Sequence, residues 1–427
     1  MADPEGETAD DTGRGSRRRP SRRVLIGAGL IVVLLAAVGA ALLSAGDDEV
    51  CCAPDPETTR ETGPRPELEE VGEVEGLDAS QQIDQVLLTG FEGAKVEDEV
   101  LEEVRDHQLG GILIAAENWE GVSAGRKLVA GLGKVARQAG DVPPLIATAQ
   151  EGGSGRSLDD LPPEKTQTQI ADEGDPDAVT KWSEQAAEAL ADAGFDLDLF
   201  PVADVATLDS PLADRVFSDS TGLVAELTAD ALEGCEAAEL ACAPAHFPGL
   251  GAAAGDTATA PAGVALDEAA LRSRDLPPFE AAFKSGAPAV VLSLAFYSAI
   301  DGTTPAALSK PIATDLLRRD LGFKGVAITD DLSAGAIRGS YEPGEAAVRA
   351  LDAGADLIQI SDPGDVAPAR RAIEEALADG ELEADRLAEA VGRVVELKRG
   401  SGLIEDEGGE GGGGKGEKSR EEKSSRN

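Results

Sequence analysis

The side chains best equipped for chemistry in this sequence stand just after short apolar runs. In chain order they are Asn118, the turn Gln150-Glu151-Gly152-Gly153, Asp204, the turn His246-Phe247-Pro248-Gly249, and Thr329-Asp330-Asp331-Leu332. Charged groups and an imidazole at such places cost desolvation unless they face a cleft. The plain structural role for each is a turn or a helix cap, and Asp330 could serve as one. A carboxylate near a second acid and an imidazole suits hydrolysis of a glycosidic bond, in which one carboxylate attacks the anomeric carbon and an acid protonates the leaving oxygen.

Composition narrows the alternatives. The 427 residues carry 38 basic and 81 acidic side chains, a formal net charge of −43, so the chain lacks the basic footprint that nucleic-acid binding needs. No nucleic-acid partner is expected. Four Cys and two His, His107 and His246, cannot build a His-rich or Cys-rich metal cluster. Neither a metal nor a cofactor is expected, although carboxylates alone could still ligate a cation. Cys235 and Cys242 are candidates for a local disulfide, while Cys51 and Cys52 offer either interchain pairing or no role.

The elements that must position these residues alternate between short apolar runs and amphipathic stretches. Strands are expected over 85–90, 111–115, 145–149, 195–202, 241–247, 289–294, 325–329 and 356–360, with helices at 178–193, 222–232, 267–283, 344–353, 366–378 and 384–398. Eight βα units over 79–404 fit an α/β (β/α)8 TIM barrel, with a doubly wound open sheet as the alternative. In a barrel the ends of the apolar runs form one face, where functional residues gather.

Ahead of that domain, 1–23 is polar and ends in Arg14, Arg17, Arg18, Arg19, Arg22 and Arg23, and 24–45 is free of charge. A run of that length spans a bilayer, which takes about 20 apolar residues, and so one transmembrane helix is expected before the barrel. Basic residues before it and Asp47, Asp48 and Glu49 after it place the N-terminus in the cytoplasm and the barrel outside. The stretch 46–78 reads as an acidic, Pro-rich linker and 405–427 as a disordered tail.

The order and content of the motifs over 79–404 resemble the N-terminal barrel of glycoside hydrolase family 3, in particular its single-domain β-N-acetylglucosaminidase branch. The resemblance is carried by Gly90-Phe91-Glu92-Gly93, Gly110-Gly111-Ile112-Leu113, Gln150-Glu151-Gly152-Gly153, Pro201-Val202-Ala203-Asp204-Val205, Asp214-Arg215-Val216-Phe217, His246-Phe247-Pro248-Gly249, Gly322-Phe323-Lys324-Gly325, Ile328-Thr329-Asp330-Asp331-Leu332 and Ala353-Gly354-Ala355-Asp356. It implies that Asp330 matches the catalytic nucleophile of a retaining mechanism. It also implies that Arg215 and His246 contact the sugar, with Glu151 and Asp204 in the same binding set.

Departures from the family pattern fall on that implied chemistry. Ala149 stands where the family usually has a sugar-gripping Asp, and Ser154 where an Arg often follows. Ala245 and Leu250 replace the Lys and second His that flank the His-Phe-Pro-Gly turn. After Gly255-Asp256-Thr257, where that branch carries an Asp-x-His acid/base pair, this chain reads Ala258-Thr259-Ala260-Pro261-Ala262. With only two His in the chain, that acid/base cannot be present in any alignment. Asp256 or Glu151 would have to substitute as the acid. Two readings follow from the resemblance: a membrane-anchored protein, inactive or much attenuated, that binds cell-wall or other N-acetylglucosamine-containing glycans or is structural, and an active β-glycosidase working through Asp330 with a non-standard acid.

Overall fold

The computed structural model describes residues 74–95, 107–140, 142–175, 177–212 and 215–404. The chain divides into two units, Met1–Thr62 and Gly63–Asn427, and all described residues belong to the second. The expected membrane span at 24–45, Cys51, Cys52, most of the 46–78 linker and the tail at 405–427 lie outside the described residues. Among the described residues no helix is long and apolar enough to cross a membrane.

Eleven strands follow one another in the described residues: β1 (Leu87–Thr89), β2 (Gly111–Leu113), β3 (Leu145–Thr148), β4 (Leu197–Asp198), β5 (Ala241–Cys242), β6 (Gly263–Val264), β7 (Ala289–Leu292), β8 (Phe296–Tyr297), β9 (Asp301–Pro305), β10 (Val326–Thr329) and β11 (Ile358–Ile360). A parallel sheet runs β11-β1-β2-β3-β4-β5, and β10 pairs in parallel with β7. Parallel bridges from Phe247 to Leu292 and from Ile328 to Leu357 join the pair to both edges of the sheet. Pairing therefore passes through eight parallel strands and returns to its start. With helices such as Ala178–Ala193, Thr221–Ala237 and Pro343–Ala353 between the strands, the fold is α/β.

Strand alternation sorts the side chains. Leu88, Leu113, Leu145, Val291, Ile328 and Leu357 form one apolar cluster inside the ring, while Leu87, Ile112, Ile146, Val290 and Ile358 join the larger cluster under the helices. The helix Ala384–Gly400 adds Val394 and Leu397 to the inner cluster and so closes the end where the strands begin. At that end lies fully buried Asp356, whose carboxylate accepts from Arg318, Arg386 and Arg393 at 2.5, 2.6 and 2.8 Å and from the Ala327 amide at 3.0 Å. The Ala353-Gly354-Ala355-Asp356 motif thus holds the scaffold together, away from Asp330.

Three expected elements differ most in extent. The strand expected over 195–202 pairs regularly only at Leu197–Asp198, and that over 241–247 only at Ala241–Cys242, because Pro201, Pro244 and Pro248 have no N–H with which to continue a ladder. Contact continues through the isolated bridge of Val202 with Ala245, and the bonds Phe200–Pro201, Ala245–His246 and Phe247–Pro248 are cis. The helix expected over 267–283 begins at Glu268–Ala270, capped by Asp267, widens into a π-helical turn at Leu271–Asp275, and resumes at Leu276–Lys284. Pro277 and Pro278 remove two donors at that junction. β6, β8 and β9 form a separate three-stranded sheet from a Ser-, Gly- and Thr-containing stretch with no alternation to announce it.

Candidate active site

Asp330 follows the last residue of β10, with a partly exposed carboxylate. By alternation with Val326 and Ile328 it faces into the ring, at the end opposite Asp356. Its Oδ1 accepts the Asp331 amide at 2.8 Å. Burial raises its pKa, and the opposing pull of His246, of that amide and of Arg215 does not cancel the rise. Asp331 is structural: it accepts the Ser333 and Ser361 amides at 2.9 and 3.0 Å and the Ser361 hydroxyl at 2.5 Å, tying β10 to β11.

Glu151 and Arg215 meet as a fork, with Nε and Nη2 each donating to one carboxylate oxygen at 2.6 Å. Burial alone would lower the Arg215 pKa, yet the Glu151 pair raises it, helped by the charges of Asp204 and Asp330. Asp214, beside Arg215 in the motif, lies outside the described residues. The Glu151 turn is shaped by Gly152, whose φ of +92° and closeness to the Lys165 carbonyl leave no place for a side chain. Asp198 braces it from outside the ring by accepting the Gln150 amide at 2.8 Å. Burial pushes the Asp198 carboxyl up to about 8, against the Gln150 bond and with help from the Glu151 charge.

His246 and Asp204 form the third unit. The imidazole Nδ1 lies 2.8 Å from Asp204 Oδ2, and the Leu250 amide donates to Oδ1 at 2.5 Å. That contact places a proton on Nδ1 and leaves Nε2 for the cleft. Burial disfavours the charged imidazole, but the charge and hydrogen bond of Asp204, then the charge of Asp330, raise its pKa overall.

The remaining expected residues separate from this group. Asp256 is exposed, and its Oδ1 accepts the Ala258 amide at 2.9 Å in a turn. The loop around it is tied down: Gly335 donates to the Ala258 carbonyl at 2.9 Å, Ala336 to that of Thr257 at 3.1 Å and Phe296 to that of Ala262 at 2.9 Å. Backbone carbonyls, in place of an acid side chain, thus meet the segment that follows Asp330. Ala149 packs on the rim of the inner cluster and Ala245 is buried within it. Asn118 is buried and structural, its amide donating to the Phe91 and Gly93 carbonyls at 2.8 Å. His107, just before β2, lies 3.3 Å from Asp84, which precedes β1, so it sits at the end where strands begin and not where the site lies. Cys235 and Cys242 are joined in a disulfide with Cα atoms 6.3 Å apart. They border a cavity of about 900 Å³ among strand beginnings, lined also by Ala241, Pro288 and Gly325, which is not the Asp330 cleft. Among the described residues no group of three or more His, Cys, Asp or Glu is placed to hold a metal.

Residues the motifs did not announce support the site from behind. Arg274 donates to the Val205 and Ala206 carbonyls at 2.5 and 2.8 Å, just past Asp204, and to Asp275 at 2.6 Å. Asp275 lies against Gly249, where an added Cβ would sit 2.5 Å from its own. Burial pushes the Asp275 carboxyl up to about 7, with Arg274 opposing and Asp204 assisting. Tyr297, fully buried, donates to the Gly249 carbonyl at 3.1 Å. The sequence signal for this layer was the Arg274-Asp275 pair inside an amphipathic helical stretch.

A parallel α/β ring with a carboxylate, an Arg–Glu fork and a His–Asp pair gathered at its strand ends is the arrangement of a glycosidase-type scaffold. Residues 70–397 match the glycosyl hydrolase family 3 N-terminal domain, and the chain belongs to that family. It is 32% identical over 307 residues to the Beta-hexosaminidase of Stenotrophomonas maltophilia (strain R551-3), a match covering 68% of this chain and 87% of that one. The β-N-acetylhexosaminidase structure from Beutenbergia cavernae DSM 12333 is similar with a TM-score of 0.70 at 30% identity, covering 76% of this chain and 99% of that one. The family 3 β-N-acetylglucosaminidase from Paenibacillus sp. str. FPU-7 is similar with a TM-score of 0.73 at 28% identity, covering 80% of this chain and 65% of that one.

Proposed function

We propose that this chain is a membrane-anchored, β-N-acetylglucosaminidase-like protein that holds N-acetylglucosamine-containing glycans over Asp330 and hydrolyses them at a much attenuated rate. The eight parallel strands support a (β/α)8 barrel with the site at the strand C-terminal ends. The observation that carries the reading is that the acids around Asp330 are already engaged. Glu151 is taken by Arg215, Asp204 by His246 and Leu250, and Asp331 by Ser333 and Ser361, while Asp256 stands apart in its own turn. A nucleophile without a proton donor for the leaving oxygen forgoes assistance worth about 10² to 10⁴ in rate.

The arginines before 24–45 and the acids after it support anchoring with the N-terminus cytoplasmic and the barrel extracytoplasmic, and the Cys235–Cys242 disulfide supports a non-reducing surrounding. A cell-wall glycan is the partner this location offers. Membrane fractionation of the full chain and of a variant lacking 24–45 tests the anchor: equal solubility of the two removes it.

A second reading, efficient hydrolysis of natural glycans, has one observation on its side. The Asp204–His246 pair carries a raised imidazole pKa and feels the charge of Asp330, so His246 is a potential proton donor. Turnover of an aryl β-N-acetylglucosaminide, which needs little acid help, set against N,N′-diacetylchitobiose separates the two. The proposal expects aryl turnover that vanishes in Asp330→Ala and disaccharide turnover slower by about 100-fold or more. Comparable turnover of both substrates decides for the second reading. No glycan binding, with wild type and Asp330→Ala equally inert on both, removes either.

A further inference from the structure

Gln359 is a polar residue inside an apolar ring. It lies on β11 two residues after Leu357, which belongs to the inner cluster, so alternation turns its side chain inward. The residue is 8% exposed, and its Oε1 is buried with no hydrogen-bond partner. A buried amide oxygen left unpaired is destabilising, and an apolar residue of the same length would avoid that cost.

Its position gives the unspent amide a use. Ile328 of β10 bridges Leu357 of β11, and two residues further along each strand stand Asp330 and Gln359. The Gln359 backbone brackets the same place, donating to Thr329 Oγ1 at 2.9 Å and accepting from the Leu332 amide at 2.9 Å. The two inward side chains are therefore level neighbours on adjacent strands, which lie about 4.8 Å apart. On β1 the residue paired with Gln359 is Leu88, an apolar member of the inner cluster, and the positions at the ends of β1, β2 and β3, Gly90, Ala115 and Ala149, offer no polar side chain to a ligand.

We infer that Gln359 is a specificity-determining residue that reads the substituent on carbon 2 of the sugar seated over Asp330. This rests on the glycan-binding reading above. A carboxylate placed to attack carbon 1 has the carbon-2 substituent as its nearest neighbour on the ring. An amide side chain matches an acetamido group there, since each offers an N–H donor and a carbonyl acceptor, and either orientation of the terminal amide keeps that match. A site holding a spare buried amide binds a sugar that completes its hydrogen bonds better than one that does not.

The test is an NMR titration of the full chain with N-acetylglucosamine and with glucose, for wild type, Gln359→Met and Arg215→Ala, alongside thermal unfolding. Wild type is expected to prefer N-acetylglucosamine. Gln359→Met is expected to weaken that sugar about tenfold, leave glucose within about twofold, and unfold at no lower temperature, because the orphaned oxygen is gone. Gln359→Leu serves as the second variant should the methionine pack poorly. If both Gln359 variants keep the wild-type preference while Arg215→Ala loses binding, the glycan reading stands and the role of Gln359 falls. If wild type binds neither sugar, the glycan reading fails and takes this inference with it.

Discussion

At Asp330 and His246 the same buried field acts on two groups of opposite charge. Burial raises the carboxyl pKa, while for the imidazole the Asp204 contact overcomes burial and also raises the pKa. Each charge then supports the other, so the pair is best described by a shared titration. The chain has only two His, so a single His107→Gln control assigns the His246 imidazole signal by NMR. Its midpoint is expected above the ordinary value of about 6.5. A group with a raised folded pKa contributes stability that is full below the unfolded value and is lost as pH rises through the folded one. Asp204→Asn removes the charge and keeps the shape, so the His246 midpoint falls and that stability contribution goes with it. An unchanged midpoint in Asp204→Asn would show that Asp204 does not control the imidazole.

At the level of elements, the loop that follows the His246 turn is held by backbone contacts, and Gly335 permits them. A Cβ at Gly335 would lie 2.1 Å from the Thr259 carbonyl oxygen, a clash with backbone that cannot swing aside. Gly335→Ala is expected to cost about 1–3 kcal/mol, as overpacking does, and to speed hydrogen exchange at Ala336, whose amide bonds Thr257. Unchanged exchange at Ala336 would mean that the loop is not pinned there. None of this was legible in the sequence, where 252–262 is a small-residue stretch with no period. What was legible were the ends of apolar runs: Glu151, Asp204, His246 and Asp330 follow such runs, and the structure gathers them with Arg215. Strand limits at 195–202 and 241–247 were overstated because apolar content continues through prolines that cannot pair. Gln359 went unremarked because a period of two treats any residue inside a strand run as filling. Its environment is set by Leu357 and Asp330 across two strands, which no local window contains.

For the molecule as a whole, the end opposite the site holds a buried lysine whose charged form the fold disfavours. Lys398 on the closing helix is fully buried, its Nζ 2.6 Å from Gln85 Oε1 and 3.5 Å from the Leu109 carbonyl. Burial lowers its pKa to about 7, against the attraction of Asp196. The unfolded lysine titrates near 10.4, so between roughly pH 7 and 10 the unfolded chain binds a proton that the folded one does not. Folding stability should therefore rise with pH across that window through this group, by up to about 4 kcal/mol at roughly 1.4 kcal/mol per pH unit. Lys398→Met removes the titration and leaves Gln85 Oε1 to find another donor, a penalty of about 1–3 kcal/mol that does not depend on pH. Denaturant unfolding at pH 7, 8.5 and 10 reads both effects. The variant's stability relative to wild type should be highest at pH 7 and decline steadily toward pH 10, where the neutral lysine is in place in the parent. A difference between the two that stays constant over the three pH values would show that Lys398 carries its proton in the folded chain as it does in water. The closing helix would then hold its charge through Gln85, Leu109 and Asp196.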